Sequence, residues 1–524
     1  MKNLFYLPFL LLLACTAKVE EKTAVQKRPN ILFIMTDDHA KKAMSIYDSS
    51  LIKTPNLDRI GNEGIVFNRS YVTNSICGPS RAVFLTGKYS HINGFVDNAS
   101  TFDGSQMTYP KILQKHGYYT SVIGKWHLKS VPQGFDYWNV LIGQGQYYNP
   151  DLINMGDTMR HTGYASTIIT DLAIEALENR IPKDQPFCLM VQQKAPHRNW
   201  MPDTTHLAGE QVYPIPDNFY DKYENRIAAA EQDQSIDRMF ISQDLKLDTA
   251  RVVETGSGGA PEKSDVVAEW KANLDRMNEQ QLKAWNSYYM PLSDSFFSAG
   301  LTGKELTEWK YQRYMNDYLK CMQSVDDNVG RLLDYLEEKG LLDNTLIVYT
   351  SDQGFYLGEH GWYDKRFMYE ESFGMPLVMR YPKVIKPGTV NNDLVLNLDF
   401  APTILDLLGI ETNEPFQGKS LVPLMAGEKV KKWREGIYYH YYEYPHGWHS
   451  VKRHYGVRTE RYKLIHFYND IDTWELFDLK NDPAEMHNIY DDADPKLVAG
   501  LKVLLDKLQE EYGDTIATQD KPTS

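Results

Sequence analysis

Four short apolar runs stand out along the chain: Asn30 to Met35, Tyr119 to Gly124, Pro186 to Val191 and Asn344 to Thr350. Each is followed by a polar cluster. Continuous runs of this length predict strands buried on both faces, as in a parallel sheet. Segments with helical character separate them, among them Thr167 to Asn179 and Tyr311 to Lys339. Strand and helix in alternation predict an α/β fold whose sheet is covered on both sides. In such sheets ligands bind beyond the carboxyl ends of the strands. The four polar clusters fall there.

The pattern then changes twice. From about residue 202 to 310 the chain is polar and rich in Asp, Glu, Gln and Ser. This stretch reads as a helix-and-loop insertion on the active-site side. After about Gly409, strand-like runs recur at 435–442, 451–458, 461–468 and 473–479, and a helical pattern follows near Lys496 to Tyr512. They predict a small antiparallel sheet with one helix. The expected organisation is a leader at 1–15, a polar tether at 16–28, an α/β catalytic domain at 29–409 and a C-terminal α+β subdomain at 410–524.

The leader changes the picture of where the protein acts. Leu4 to Leu13 is apolar but too short to span a membrane as a mature helix. It ends in Leu12-Leu13-Ala14-Cys15, which resembles a bacterial lipobox. The resemblance implies cleavage before Cys15, lipidation of Cys15 and a place in the cell envelope, at the periplasm or outer membrane. The anchor would be lipid alone.

The chain has 524 residues, 42% of them hydrophobic and 24% charged, an ordinary globular balance. Its net charge of −14 argues against a nucleic-acid partner. It leaves room for a local cationic pocket and an anionic substrate. The cysteines are Cys15, Cys77, Cys188 and Cys321. Cys188 sits inside an apolar run and reads as a buried thiol, and no disulfide framework is required.

Candidate chemistry begins with Cys77-Gly78-Pro79-Ser80-Arg81. Pro79 suits the first turn of a helix and Gly87 suits its end. Cys77 is therefore expected at a helix N-terminus, beside free N–H groups and the positive end of the dipole. Arg81 lies one turn on, on the same face. Asp37-Asp38 closes the first strand and Asp352-Gln353 the fourth. These hard oxygen donors suit Ca²⁺, with Mg²⁺ second, and disfavour Zn²⁺. Lys125 and His127 follow the second strand, His197 and Arg198 the third, and His360 and Lys365 the fourth. All are donors suited to an anion. His39, His91 and His116 read as packing residues.

The Cys-x-Pro-Ser-Arg pattern resembles the signature of the type I sulfatases. The acidic pair after the first strand, the Gly-Lys-x-His and Pro-His elements and the late acid–amide pair resemble that family in the same order. Gln353 stands where the family more often has Asn. Gly456 to Leu464 and Glu475 to Pro483 resemble its C-terminal subdomain.

The resemblance implies an alkaline-phosphatase-like fold: a large mixed sheet flanked by helices, then a small antiparallel sheet with one helix. It implies oxidation of Cys77 to formylglycine (3-oxoalanine) by a maturation enzyme. It also implies one metal ion held by Asp37, Asp38, Asp352, Gln353 and the modified Cys77. Arg81, Lys125 and Lys365 would face the sulfuryl oxygens. His197 would protonate the leaving oxygen, and His127 would act as base when sulfate departs. The segments around His197 and His360 resemble bacterial glycan sulfatases of the N-acetylglucosamine-6-sulfatase kind. Arg198 and His360 are expected as sugar contacts, and Trp200, Trp362 and Trp448 as rings that could stack on sugars. Three alternatives stay open: a sulfatase for another sugar position or an aryl sulfate, a phosphonate or phosphodiester hydrolase of the same superfold, and an inactive glycan-binding lipoprotein.

Overall fold

A computed structural model describes residues 28–516, apart from 249, 252–261, 263 and 432. The leader, with the lipobox-like Cys15, and nearly all of the tether lie outside the described residues.

The four apolar runs form strands Asn30–Thr36, Tyr119–Lys125, Phe187–Gln192 and Thr345–Ser351. They lie in one ten-stranded sheet. Asn30–Thr36 is central, pairing in parallel with Phe187–Gln192 on one side and Thr345–Ser351 on the other. Tyr119–Lys125 adds to Phe187–Gln192, and Tyr137–Leu141 adds a fifth parallel strand. That fifth strand escapes the apolar pattern because Asn139 interrupts it, although Asn139 is buried. Leu377–Arg380 joins antiparallel to Thr345–Ser351, and Asp151–Asn154 antiparallel to Tyr137–Leu141, so the sheet is mixed.

Side chains alternate between two cores, as the two-residue period of a strand requires. Leu32, Ile34, Leu189, Val191, Ile347 and Tyr349 face a layer that includes the long helix Gly303–Glu338 and the helix Ala165–Asn179. Ile31, Phe33, Met35, Met190 and Val348 face the other layer, with the helices Cys77–Thr86 and Phe400–Leu407. Phe33, Phe84 and Phe400 form an aromatic triangle with centroids 4.7–5.8 Å apart. It seats the Cys77 helix on the central strand. Burying each such ring is worth about 1.5–3 kcal/mol.

The long helix starts at Gly303 rather than Tyr311. Its opening residues, 303–305, are polar and exposed, and the expected end of the insertion at residue 310 falls inside it. Within 202–310, the helix Glu279–Ala299 opens with a capping box between Asn278 and Gln281. Gly436–Tyr441, His454–Thr459, Tyr462–Phe467 and Thr473–Asp478 form the antiparallel C-terminal sheet, packed by the helix Pro495–Tyr512. Among the described residues no helix is long and apolar enough to cross a membrane.

Candidate active site

Strand register assembles the site. Met35 pairs with Thr350 and Thr36 with Ser351, so Asp37-Asp38 and Asp352-Gln353 leave the sheet side by side. Gln192 pairs with both Met35 and Gly124, which brings Lys125 and Lys194 to the same edge. Gly124 has φ 102, and a Cβ there would lie 2.0 Å from the Gln192 carbonyl oxygen, so only glycine lets these strand ends approach. Gly354 serves the fourth strand's end likewise: its Cβ would lie 2.1 Å from the Glu371 carbonyl oxygen.

Cys77 is the first residue of its helix and is buried, as the motif predicts. Its Sγ lies 4.0 Å from Asp38 Oδ1 and 3.9 Å from Gln353 Nε2. Burial pushes the thiol up to about 12, so as a cysteine it stays protonated at neutral pH and makes a poor nucleophile. Ser80 donates from Oγ to the Asp352 carbonyl. Arg81 donates from Nε to Asp352 Oδ2 at 2.9 Å, and from Nη1 to the Lys125 carbonyl at 2.8 Å and Gln192 Oε1 at 3.1 Å. The motif's Ser and Arg thus tie the helix to the acidic strand end. Only Nη2 of Arg81 lacks a partner, which narrows its expected role at sulfuryl oxygens to that one group.

The carboxylates form a tight group. Asp37, Asp38 and Asp352 each offer an oxygen within 4.8 Å of the others, and Asp37, Cys77 and His197 make a second such set. Asp38 takes φ 66 as it leaves the strand. Its N–H donates to Asp352 Oδ1 at 3.1 Å, and its carbonyl accepts from Tyr318 of the long helix at 2.7 Å. Lys365 donates to Asp38 Oδ1 at 2.5 Å, and Lys125 Nζ lies against Asp37 Oδ2. Gln353 Nε2 donates to Asp38 Oδ1. Asp37 Oδ1, Asp38 Oδ2 and Gln353 Oε1 are nevertheless buried without a hydrogen-bond partner. Orphaned acceptors at this density are costly, and a hard divalent cation would satisfy them together. The residues therefore fit a metal. Burial, with Asp352 and Asp364 close by, pushes the Asp38 carboxyl up to about 6 against the pull of Lys365.

Asp38 and Cys77 line a cavity of about 460 Å³ whose walls carry His127, Lys194, His197 and Lys365. His197 Nδ1 is 2.5 Å from the Arg198 carbonyl oxygen, and its Nε2 is 3.8 Å from Asp38 Oδ2. Burial, then Lys125, Lys365 and Lys194, hold the His197 imidazole well below its ordinary range. Burial, then Lys125, Arg81 and Lys365, do the same to His127. Both rings are neutral at pH 7 in this state. Arg198 reaches the cavity wall but is clamped by Asp244, Nε to Oδ1 at 2.7 Å and Nη2 to Oδ2 at 2.8 Å.

His360 is not part of this site. It is fully buried, its Nδ1 2.7 Å from Asp221 Oδ2, among the rings of Tyr356, Trp362 and Tyr369. It cannot contact a sugar without unpacking that core. Trp200 and Trp362 are likewise fully buried, whereas Trp448 is 64% exposed and lines the cavity. The sequence reading missed Lys194, whose Nζ donates to the Gln144 carbonyl at 3.1 Å. Its signal was its place three residues before His197. It also missed Asp364 and the rim residues Asn98, Glu443 and His446. Asp364 directly precedes Lys365, whereas Glu443 and His446 follow a strand of the C-terminal sheet, Gly436–Tyr441, rather than one of the four apolar runs.

Fold and site together define a metal-assisted hydrolase of tetrahedral oxyanion esters. The chain belongs to the sulfatase family: the model described as Sulfatase matches residues 29–410. The model described as N-sulphoglucosamine sulphohydrolase, C-terminal, matches residues 358–511. The family implies formylglycine at the Cys77 position and a divalent metal. An N-acetylglucosamine-6-O-sulfatase of Bacteroides thetaiotaomicron is 52% identical over 96% of this chain and 89% of its own length. An N-acetylglucosamine-6-sulfatase of Homo sapiens is 28% identical over 79% of this chain and 67% of its own. A solved structure in complex with its substrate, D-glucosamine-2-N,6-O-disulfate, superposes with a TM-score of 0.88 at 52% identity, covering 93% of this chain and 99% of the other.

Proposed function

We propose that this sulfatase removes the 6-O-sulfate from N-acetylglucosamine or related glucosamine units at the ends of sulfated glycans. The observation that carries the position is the 52% identity to a 6-O-sulfatase over nearly the whole chain. The cavity supports action at chain ends. It is walled by Gln243, Glu269 and Asn273 from the 202–310 stretch and by Glu443, His446 and Trp448 from the C-terminal subdomain.

With Cys77 carried as formylglycine, its hydrated aldehyde would supply the attacking hydroxyl; Asp37, Asp38, Asp352 and Gln353 would hold a divalent ion, which would supply Lewis-acid chemistry at this point. The all-oxygen donor set supports Ca²⁺. Lys365 and Lys194 concentrate positive charge where the sulfuryl oxygens enter, with Lys125 behind them. His127, neutral, accepts the proton whose loss lets sulfate leave the nucleophile. His197, on the cavity wall with Nε2 3.8 Å from Asp38 Oδ2, gives the sugar oxygen its proton. A sulfate ester arriving among the same lysines brings the negative charge that favours the imidazolium.

The role of His197 is separable from the rest. His197→Ala is expected to cost roughly 10²–10⁴-fold on sugar sulfates and little on activated aryl sulfates, whose phenolate leaves unaided. Equal losses on both would remove His197 from that role.

Sulfate release from a panel of defined sulfated monosaccharides tests the substrate. The 6-O-sulfated N-acetylglucosamine should be cleaved. Ready cleavage of 2-O- or 4-O-sulfated sugars with the 6-O ester untouched would overturn the assignment. Matched phosphate esters in the same panel test the phosphohydrolase alternative. The sequence at Leu12 to Cys15 supports a lipid-anchored envelope protein, and Cys15→Ala should then move it from the membrane fraction to the soluble one. Cys77 to Arg81 is the segment a formylglycine-generating enzyme would recognise.

A further inference from the structure

Trp448 lines the cavity mouth with 64% of its surface exposed, yet the loop that carries it is held at both ends. His449, next in the chain, is buried with Nε2 2.9 Å from Asp364 Oδ2 and Nδ1 3.3 Å from Asp233 Oδ1. Its carbonyl accepts from the Asp233 N–H at 3.1 Å. At the loop's other end Glu443 Oε1 accepts from the Asn98 N–H at 3.2 Å, and Asn98 Oδ1 accepts from the N–H of Gly78 at 3.1 Å. The loop is thus tied to the helix that carries Cys77 and to the neighbour of Lys365. The guanidinium of Arg198, itself on the cavity wall, lies 5.8 Å from the Trp448 ring centroid, so the ring is contiguous with that wall.

A cavity of about 460 Å³ has the size of a site for one small ligand. If the sugar carrying the scissile sulfate fills it, the next sugar of a chain meets the rim. A pyranose presents an apolar C–H face that an indole can cover, while its hydroxyl edge finds polar partners. His446, exposed on the same loop, is available beside Trp448. We propose that Trp448 is the stacking platform for this second sugar, so that the enzyme favours the end of an oligosaccharide over a free monosaccharide. The inference rests on the glycan-sulfatase reading above. It adds a residue from the C-terminal subdomain to the determinants of specificity.

The test measures binding by titration calorimetry in the Cys77→Ala background, where turnover does not interfere. The probes are 6-O-sulfated N-acetylglucosamine and a disaccharide with that sugar at its non-reducing end. The disaccharide should bind more tightly. Adding Trp448→Ala should lower the disaccharide-to-monosaccharide affinity ratio about 10-fold, and Trp448→Phe should restore most of it. An unchanged ratio with Trp448→Ala overturns the platform, as does a disaccharide bound no better than the monosaccharide in the Trp448 protein. Absence of 6-O-sulfate release by the parent enzyme, with a Trp448-dependent ratio intact, overturns the substrate reading and leaves the platform standing.

Discussion

Replacing Cys77 by alanine is expected to lower sulfatase activity by at least about 10⁴-fold while leaving the fold in place. Both halves of that expectation come from the same geometry. Cys77 stands at the N-terminus of a fully buried helix, facing Asp38 and Gln353 across 4.0 and 3.9 Å. Among the described residues that line the cavity, Cys77 is the only cysteine and there is no serine or threonine. The helix itself is held by the Phe33, Phe84 and Phe400 triangle and by the Ser80 and Arg81 hydrogen bonds, none of which uses the thiol. Loss of one sulfur from a polar environment should cost about 1 kcal/mol, which moves the melting temperature of a protein this large by a few degrees at most. Peptide mass spectrometry across Cys77 should find the aldehyde in active preparations. Full activity in Cys77→Ala, or an active preparation holding only the thiol, would contradict the mechanism.

The second large effect concerns the metal. Purified protein should contain one Ca²⁺ per chain, chelation should abolish activity, and Ca²⁺ should restore it. Metal that binds only the folded chain stabilises it by about 2.7 kcal/mol at a hundredfold excess over Kd, so the melting temperature should rise with added Ca²⁺. Asp352 separates binding from folding. Asp352→Ala would leave Arg81 buried without its carboxylate, a change that typically costs 3–5 kcal/mol (about). Asp352→Asn keeps an oxygen for Arg81 Nε and removes the charge that holds the ion. The asparagine variant should therefore fold, lose stoichiometric Ca²⁺ and lose activity. Stoichiometric Zn²⁺, with activity restored by Zn²⁺ alone, would overturn the assignment.

Much of the chemistry was legible because it is local. The candidate catalytic residues follow buried strands, and a buried parallel strand announces itself as an unbroken apolar run. Asp37-Asp38 and Lys125 with His127 follow such a run closely, and His197 stands a few residues beyond one, so their common edge could be read before the sheet order was known. Arg81 shows the limit of that logic. Helical spacing placed it on the face of Cys77, but its partner Asp352 lies 271 residues away, and no spacing rule reaches so far. His360 and Trp362 failed for a related reason. In sequence they stand beside Lys365 with the look of ligand contacts, yet the chain turns and packs both into an aromatic core.

By itself the sequence determined the class of chemistry. A cysteine at a helix start, hard oxygen donors at two strand ends and a ring of basic side chains admit few reactions, because each residue type brings its chemistry wherever it folds. The tertiary structure alone decided which of these groups share a cavity and what encloses it. Strand register set Asp37 beside Asp352. Packing sent Trp200 and Trp362 inward and left Trp448 at the rim. The insertion and the C-terminal loop met across the opening, bringing Glu269 and Trp448 to one cavity. Those outcomes depend on contacts between segments hundreds of residues apart, whose energies come from shape and burial in three dimensions rather than from any local pattern of residues.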